Sequence, residues 1–254
     1  MLILLPPSEG KSEPVPGPPT DLGELVFSRQ LSAKRERLLT GLQTLSAGPV
    51  EEAIEALGIS ARQAADVARD GQLEVAPAGP AVEVYSGVLY SHLDFDSLGV
   101  TAAKRAAEKV LIASALWGML RPTDRIPNYR FSMKARLADL PGMAAYWRPA
   151  LAEAMEAAGR DDEGGLILDM RSGAYSAAWK PKRARLLSVR AFTESGGSRK
   201  VISHMAKAVR GDVARLVLSA RKLPTDAESV AAVLESDGLK VELSDAFLDI
   251  VEEA

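Results

Sequence analysis

The sequence predicts a mixed α/β protein, with a central mixed sheet flanked by helices and a small helix-hairpin-helix-like lobe. Short apolar runs such as 1–5 and 166–170 are typical of buried strands, whereas 24–45 carries apolar residues at helical spacing. The two kinds of segment alternate along the chain, which favours helices packed on a sheet. The chain has 254 residues, is 47% hydrophobic and lacks a long linker, so we expect residues 1–254 to form one domain.

The N-terminal segment is predicted to contain a strand, a loop and a helix. The run 1–5 is apolar and is followed by two prolines, which end a strand. Residues 8–20 are rich in Gly, Pro and Ser and are expected to form an irregular loop. Within 24–45, one face of a helix collects four leucines: Leu31, Leu38, Leu42 and Leu45.

Residues 49–71 resemble a helix-hairpin-helix element inside this domain. The segments 50–57 and 61–69 predict two short helices around a glycine turn at Gly58. Ser60 is a suitable N-cap for the second helix. Turn N–H groups and a helix N-terminus together attract phosphate.

The element also has a purely structural interpretation, without phosphate binding. Arg62 would assist at Gly58 and Ser60, but three glutamates (Glu51, Glu52 and Glu55) make the first helix acidic and would repel a nucleic-acid backbone. Two helices packed around a glycine are also common as structure alone, so both interpretations stay open.

The remaining elements follow from the same two periodicities. In chain order we expect a strand at Val82–Tyr85, a helix at Thr101–Lys109, a strand at Val110–Leu116, a helix at Gly142–Ala158, a strand at Leu166–Met170, paired strands at Leu186–Phe192 and Lys200–His204, helices at Ala206–Arg221 and Thr225–Glu235, and a strand or hairpin at 239–251. Residues 117–136 are expected to form a loop.

Composition excludes several chemistries. The chain has no cysteine, which removes disulfides, thiolate catalysis and zinc-thiolate sites. His92 and His204 are the two histidines and no acidic cluster stands at ligand spacing, so we predict no metal site and no cofactor. The apolar run 110–120 is about half a membrane span, and the N-terminus lacks the features of a signal peptide. We therefore expect a cytoplasmic monomer without membrane contact.

Charge is segregated along the chain. Residues 171–222 hold 13 Lys or Arg against two acids, Glu194 and Asp212, whereas the rest of the chain holds 18 basic and 32 acidic residues. This predicts an electrostatic surface for a polyanion. The alternative is a solvated basic face.

Four groups of residues are candidates for chemistry. The first is Lys11, in a loop just past the first strand; Gly10-Lys11-Ser12 is not a phosphate-binding P-loop, because a glycine is required where Leu5 stands. The second is the loop 117–136, where Arg121 and Arg130 stand among aromatic residues. These arginines and rings suit stacking with bases, unless the rings fill the core.

The third group follows the strand at 166–170, where open α/β sheets place functional groups. Asp169 is either a general base or the partner of Arg171, Tyr175 either donates a proton or caps a pocket, and basic residues follow Ser172. The predicted phosphate contacts in this stretch are Ser172, Lys180, Lys182 and Arg183.

The fourth group lies at the start of the helix at 206–221. Lys207 and Arg210 share one helical face near its N-terminus, close to His204. Two cations add to the helix dipole there, which suits an anion site. The alternative is a solvated helix face.

Several segments together resemble the YaaA peroxide-stress protein family, formerly a domain-of-unknown-function family. The resemblance covers nearly the whole chain. It rests on Met1–Leu4 and Lys11, Val84–Gly87, Ala115–Pro122 with Asp124, Pro127, Tyr129 and Arg130, Tyr146-Trp147, Asp169–Tyr175, and Ser203–Gly211. It implies a mixed α/β fold, a helix-hairpin-helix-like element, a positively charged cleft that binds DNA, and a role in surviving hydrogen peroxide that is linked to lowering free iron.

The sequence leaves two main hypotheses for function. One is binding of nucleic acid, DNA in preference to RNA, with weak sequence preference. The other is an enzyme acting on a nucleotide or another phosphate-bearing small ligand, in a pocket formed by Lys11, Asp169, Arg171, Tyr175, Lys207 and Arg210. A structural or adaptor protein is a third, which requires the basic residues to be spread evenly over the surface.

Overall fold

The computed structural model describes residues 1–14, 16–160, 164–195, 198–200 and 205–253. Its helices are α1 (Ser28–Ser46), α2 (Val50–Leu57), α3 (Ala64–Asp70), α4 (Ala81–Val84), α5 (Val88–Leu93), α6 (Val100–Lys109), α7 (Met143–Ala157), α8 (Gly173–Ser176), α9 (Met205–Ser219) and α10 (Ala227–Ser236). Its strands are β1 (Leu2–Leu5), β2 (Gly79–Pro80), β3 (Val110–Ser114), β4 (Gly118–Leu120), β5 (Arg125–Ile126), β6 (Leu166–Asp169), β7 (Arg185–Ser195), β8 (Ser198–Lys200), β9 (Lys240–Leu243) and β10 (Phe247–Glu253).

A mixed sheet forms the centre of the molecule. Its strand order is β4-β3-β1-β6-β7-β10-β9, with β8 also paired to β7. The strands β3, β1, β6, β7 and β10 run parallel, while β4, β8 and β9 pair antiparallel at the margins. This arrangement confirms the predicted α/β class.

The central strands are covered on both faces. Every residue of β1, β3 and β6 is buried, because crossover connections place helices on each side of a parallel sheet. In β9, at the sheet margin, exposed residues alternate with partly buried ones. The core also takes up sulfur side chains: of seven methionines, Met119, Met143, Met155 and Met170 are almost fully buried.

The helices pack in two groups. The predicted lobe forms as α2 and α3 pack on each other and on α1, and α1 also packs on α7. In the second group α9 contacts α5, α6, α10 and β7. The approach of α5 and α9 is very close, since a Cβ added at Gly211 would lie 2.4 Å from the Leu89 carbonyl oxygen. A side chain at this position therefore requires the two helices to separate.

Most predicted elements are confirmed, with small shifts at their ends. The helix at 50–57 agrees to the residue. The second lobe helix starts as a 3₁₀ turn at Ala61–Gln63 with Ser60 as its N-cap. The final segment is a hairpin of β9 and β10. Of the paired strands, β7 and β8 lie within the described chain, whereas residues 201–204 lie outside it.

The predicted strand at Val82–Tyr85 is wrong. The segment forms the short helix α4, and the Tyr85 N–H donates to the Ala81 carbonyl (2.9 Å) to close its turn. Pro80 at the N-cap has a fixed φ that favours this start. Tyr85 keeps one isolated bridge, to Lys11. The loop predicted at 117–136 also contains two short strands, β4 and β5.

A buried arginine fastens α1 to the chain after β3. Arg35 has no exposed surface, and its guanidinium donates to the carbonyls of Trp117 (3.0 Å), Met119 (3.0 Å) and Val26 (2.8 Å). Burial lowers the pKa of Arg35 to about 10, which leaves it charged at neutral pH. Three backbone groups therefore depend on one side chain.

Arg35→Leu is expected to destabilise the protein by about 3 kcal/mol or more, because three buried carbonyls lose their donor. Urea unfolding followed by circular dichroism measures the change. Arg37→Leu, at an exposed position on the same helix, is the control. Equal effects of the two substitutions would contradict the assigned role of Arg35.

Candidate functional site

The loops after β1 and β6 leave the sheet side by side. β1 lies between β3 and β6, with Leu5 opposite Ile112 and Leu4 opposite Asp169. Because the three strands are parallel, their carboxyl ends meet at one edge. Ligand sites of open α/β sheets lie at this edge.

A cleft of about 350 Å³ lies beside this edge. It joins four parts of the chain: the loop after β1, the turn of the helical lobe, the segment after β5 and the turn after β6. The lining residues are Glu9, Leu57, Gly58, Ile59, Arg130, Phe131, Ser132, Met133, Lys134, Ser172, Ala174 and Tyr175. Four predicted site residues, Gly58, Arg130, Ser172 and Tyr175, are therefore brought together.

The loop after β1 is held by backbone pairing with the end of α4. The Ser12 N–H donates to the Val84 carbonyl (2.8 Å), and the Ser86 N–H donates to the Gly10 carbonyl (3.1 Å). The Ser8 hydroxyl donates to the Ser86 carbonyl. Lys11 sits within this pairing, so its side chain emerges from a fixed backbone.

The Lys11 amine rests on two tyrosine rings. Its Nζ lies 4.2 Å from the ring centre of Tyr129 and 5.5 Å from that of Tyr85, and donates to the Ser8 carbonyl (3.0 Å). The pKa of Lys11 is lowered to about 8, chiefly by burial and also by the charge of Arg130, while Glu9 and other acids oppose the shift. A substantial fraction of this amine is consequently neutral near pH 8.

The tyrosines under Lys11 form a hydroxyl chain. The Tyr85 and Tyr129 hydroxyl oxygens are 2.6 Å apart, and the Tyr129 hydroxyl lies 2.8 Å from Ser114 Oγ. Ser114 Oγ in turn accepts the Trp117 N–H (3.0 Å). Burial raises the pKa of Tyr85 to about 12 and the pKa of Tyr129 well above its usual value, so both stay protonated.

Tyr175 extends the group of tyrosines to the cleft wall. It is 8% exposed, and burial raises its pKa, with Glu9 and Tyr85 adding to the shift. Tyr90 packs on Tyr85 with ring centres 5.5 Å apart and donates its hydroxyl to the Pro6 carbonyl (2.8 Å). Four of the five tyrosines thus gather at this edge of the sheet.

Asp70, at the end of α3, is a buried acid beside the cleft. It is 1% exposed; Oδ1 accepts the Arg130 N–H (2.8 Å), whereas Oδ2 has no hydrogen-bond partner. Burial raises the pKa of Asp70 to about 7, against the opposing effects of that hydrogen bond and Lys11. A carboxyl that titrates near neutrality beside a low-pKa amine is typical of functional sites.

Arg130 links the loop after β1 to the cleft. Its guanidinium donates to the Glu9 carbonyl (3.0 Å) and lies 3.6 Å from the Glu9 carboxylate, which is exposed. Lys134 is exposed on the same wall. An incoming anion can replace Glu9 at Arg130, because such a long exposed ion pair contributes little.

Asp169 is the partner of Arg171. The buried Arg171 side chain donates to Oδ1 (2.8 Å) and Oδ2 (2.9 Å) of Asp169 and to the Trp179 carbonyl (3.0 Å). Arg210 on α9 approaches this pair, since Asp169 acts electrostatically on it while burial lowers the pKa of Arg210. This cluster braces the turn before Ser172 and does not line the cleft.

Five of the thirteen basic residues in the segment 171–222 form ion pairs with carboxylates outside that segment. Carboxylates lie within 4 Å of five of its arginines: Arg171 with Asp169, Arg185 with Glu228, Arg190 with Asp249, Arg199 with Glu242, and Arg215 with Asp94. Lys180, Lys182, Arg183 and Lys207 are exposed or partly exposed. Fewer basic side chains are therefore available to a polyanion than the charge count of the sequence suggests.

The turn of the helical lobe meets the cleft, but its N–H groups are used internally. The Gly58 and Ile59 N–H groups donate to Glu55 (3.0 Å) and Ile54 (3.1 Å), which ends α2 in a left-handed glycine cap. The Ser60 N–H donates to the Gln63 side chain (3.1 Å). Arg62 is exposed outside the cleft lining.

Residues 130–134 of the loop at 117–136 line the cleft, whereas Arg121 and Trp117 in the same loop have structural roles. Arg121 binds the Asp124 carboxylate (2.7 Å) and the Glu24 carbonyl (2.7 Å), so it braces the chain before α1. Trp117, Tyr129 and Phe131 are at most 5% exposed. Of the two interpretations of these rings, filling the core is the one the structure supports.

Three parts of this site are not predicted from the sequence. The sequence places Asp70 next to the end of the predicted helix at 61–69 and gives it no other role. Glu9 and Lys134 lie in no recognisable motif. Tyr85 and Ser114 lie in segments treated as strands, and only the spatial meeting of these segments with Lys11 marks them. The predicted His204 lies outside the described residues.

Metal-binding and membrane-spanning features are absent from the described residues. Within them, no group of three or more His, Asp or Glu side chains is placed to hold a metal ion. No helix in the described ranges has the length and apolar character needed to cross a membrane.

The fold and the cleft define a mixed α/β protein with a pocket, bordered by ionisable side chains, at the carboxyl edge of its sheet. The sequence model described as "Peroxide stress protein YaaA" matches residues 1–244. A UPF0246 protein of Streptomyces coelicolor is 44% identical over 245 residues, covering 95% of this chain and 92% of that protein. A UPF0246 protein of Corynebacterium glutamicum is 38% identical, covering 95% of each chain. The chain therefore belongs to the YaaA peroxide stress protein family.

Asp70→Asn is expected to stabilise the protein increasingly as pH rises from about 4 to about 8. The folded pKa of Asp70 is about 7, against 3.8 for a solvated aspartate, so the folded state binds an extra proton in this window. Wild-type stability falls as that proton is lost, whereas the amide of the variant does not titrate. The difference approaches about 4 kcal/mol at its upper limit.

Urea unfolding at several pH values measures this difference. Asp237→Asn is the control, because Asp237 is exposed at the end of α10 and water solvates it in both states. A pH-independent difference between wild type and Asp70→Asn would show that the Asp70 carboxyl is not desolvated.

Proposed function

We propose that this peroxide stress protein binds nucleic acid, DNA in preference to RNA and with weak sequence preference, through the cleft at the carboxyl edge of its sheet. The supporting observation is that Arg130, Lys134 and Ser172 face one cleft beside the turn of the helical lobe. Cationic and hydroxyl groups are the usual contacts to a phosphate backbone, and they carry no sequence information.

The positive charge available to a polyanion is confined to a few side chains. Glu9 shares the cleft with Arg130, and the partners of the basic segment neutralise much of its charge. Exposed Lys180 follows the cleft-lining turn in sequence, and exposed Lys207 precedes Arg210 by one helical turn. We therefore expect a small number of phosphate contacts, centred on Arg130 and Lys134 and extended by Lys180 and Lys207.

A double variant, Lys134→Glu with Lys207→Glu, is expected to weaken binding of a random duplex at least roughly tenfold. The slope of log affinity against log salt is expected to become shallower by about 0.9 for each phosphate that the variant no longer neutralises. Fluorescence anisotropy in a salt series measures both quantities, with single-stranded DNA and RNA as parallel ligands.

The matched control is Lys104→Glu with Lys222→Glu. Both lysines are exposed, and Arg105, next to Lys104, contacts the carbonyls at the C-terminal end of α9, away from Arg210. Duplex binding that is insensitive to salt, or lowered equally by both double variants, would overturn the proposal.

A second candidate is an enzyme acting on a nucleotide or similar phosphate ligand. It is favoured by the raised pKa of Asp70 and the lowered pKa of Lys11 next to a cleft of about 350 Å³, which suits one small ligand. Mononucleotides in the same titration decide between the two. Mononucleotide binding without duplex binding, lost on Lys134→Glu, would favour the enzyme.

A further inference from the structure

The surroundings of Lys11 differ from those of a solvated or ion-paired lysine. Its backbone is fixed by the pairing with Val84–Ser86, and its half-buried amine lies against two tyrosine faces. Among the described residues no carboxylate lies within ion-pairing distance of it. A lysine that serves as a structural cation is normally either well solvated or paired with a carboxylate, whereas the partly buried Lys11 amine has one carbonyl acceptor and two ring faces as neighbours.

We propose that the Lys11 amine condenses with the aldehyde of a ring-opened 2-deoxyribose phosphate held in the neighbouring cleft, forming an imine. The inference rests on the proposed binding of a phosphate-bearing ligand and names its reactive class. The same aldehyde occurs at an abasic site in DNA and in free 2-deoxyribose 5-phosphate.

The surroundings of Lys11 match the needs of an amine nucleophile. An amine must be neutral to attack a carbonyl, and both desolvation and a neighbouring cation favour the neutral form. Burial of Lys11 supplies the first and Arg130 supplies the second, while the faces of Tyr85 and Tyr129 hold the amine in place. The hydroxyl chain beneath the rings fixes the surface on which the amine rests.

The cleft supplies a place for the phosphate beside the loop that carries Lys11. Glu9 lines the cleft two residues before Lys11, and its carbonyl and carboxylate are held by Arg130. Replacement of the Glu9 carboxylate by a phosphate at Arg130 would hold the sugar beside the loop that carries Lys11. A volume of about 350 Å³ suits one sugar phosphate and not a stack of bases.

The condensation balances without an oxidant or a reductant. The lone pair of Lys11 Nζ forms a bond to the aldehyde carbon, and the carbonyl oxygen takes up a proton to give a carbinolamine. Loss of the hydroxyl group with a second proton from the nitrogen releases one water and leaves the carbon–nitrogen double bond. The net change is amine plus aldehyde to imine plus water.

Borohydride trapping tests the proposal, because the reagent reduces an imine to a stable secondary amine. One arm uses a duplex with a single abasic site, a second uses free 2-deoxyribose 5-phosphate, and an intact duplex is the blank. Wild type is compared with Lys11→Arg, which keeps the charge, and with Lys104→Arg, an exposed control on α6. Intact mass and peptide mapping locate the adduct, and thermal melting confirms that each variant is folded.

We expect an adduct on Lys11, at least tenfold less adduct in Lys11→Arg, and no change in Lys104→Arg. The trapping rate should rise with pH and reach half its maximum near 8, the value to which burial and the charge of Arg130 lower the pKa of Lys11 against the charges of Glu9, Asp70 and Asp66. An adduct spread over exposed lysines, or one undiminished in Lys11→Arg, would overturn the proposal.

The two arms also separate this inference from the proposed function. If the intact duplex binds and neither aldehyde is trapped, the imine proposal fails and nucleic-acid binding stands. If the duplex does not bind but free 2-deoxyribose 5-phosphate is trapped on Lys11, the imine proposal stands and nucleic-acid binding fails. Trapping of the abasic duplex on Lys11 supports both.

Discussion

The hydrogen-bonded chain of Ser114, Tyr129 and Tyr85 is the interaction on which the cleft depends. It joins the end of β3, the segment after β5 and the segment after α4, which are far apart in sequence. Each hydroxyl is buried, so each needs a partner, and the three satisfy one another. With the two rings held in this way, the loop after β1 has a fixed floor, and the position of the Lys11 amine is defined by packing.

Buried arginines likewise hold parts of the chain in place through hydrogen bonds. Arg35 holds carbonyls from the chain after β3 and before α1, and Arg171 holds Asp169 and the Trp179 carbonyl beneath the turn after β6. In both cases a guanidinium supplies several donors in a fixed geometry to groups that helices and strands leave unpaired. Arg171 thereby braces the turn that carries Ser172, which is one wall of the cleft.

The sequence predicted the structure best where apolar spacing extends over many residues, or where the place of a residue in the chain fixes its place in the fold. The α/β class, the lobe helix at Val50–Leu57 and the buried strand before Asp169 follow from apolar spacing alone. The rule that ligands meet the carboxyl edge points to the loops after β1 and β6, and the cleft takes Ser172 and Tyr175 from the second of them. It failed for Val82–Tyr85, where four residues suit a strand and a helical turn equally well.

The parts of the site that escaped prediction depend on burial and pairing, which composition does not encode. The aspartate at the end of α3 is unusual because it is buried, and five arginines of the segment 171–222 pair with carboxylates that lie outside that segment. Net charge by segment overstated the basic surface for that reason. Lys11 likewise lies on two tyrosine faces only because the loop that follows β1 pairs with the segment that follows α4.

The placement of sulfur has a consequence for a protein that works under peroxide. Peroxide attacks thiolates and exposed thioethers first, and the chain has no cysteine to offer. Met119, Met143, Met155 and Met170 lie inside the core, where the oxidant reaches them only after unfolding. Oxidative damage to these four side chains is thereby tied to global stability, whereas the partly exposed Met133 in the cleft can be oxidised in the folded protein.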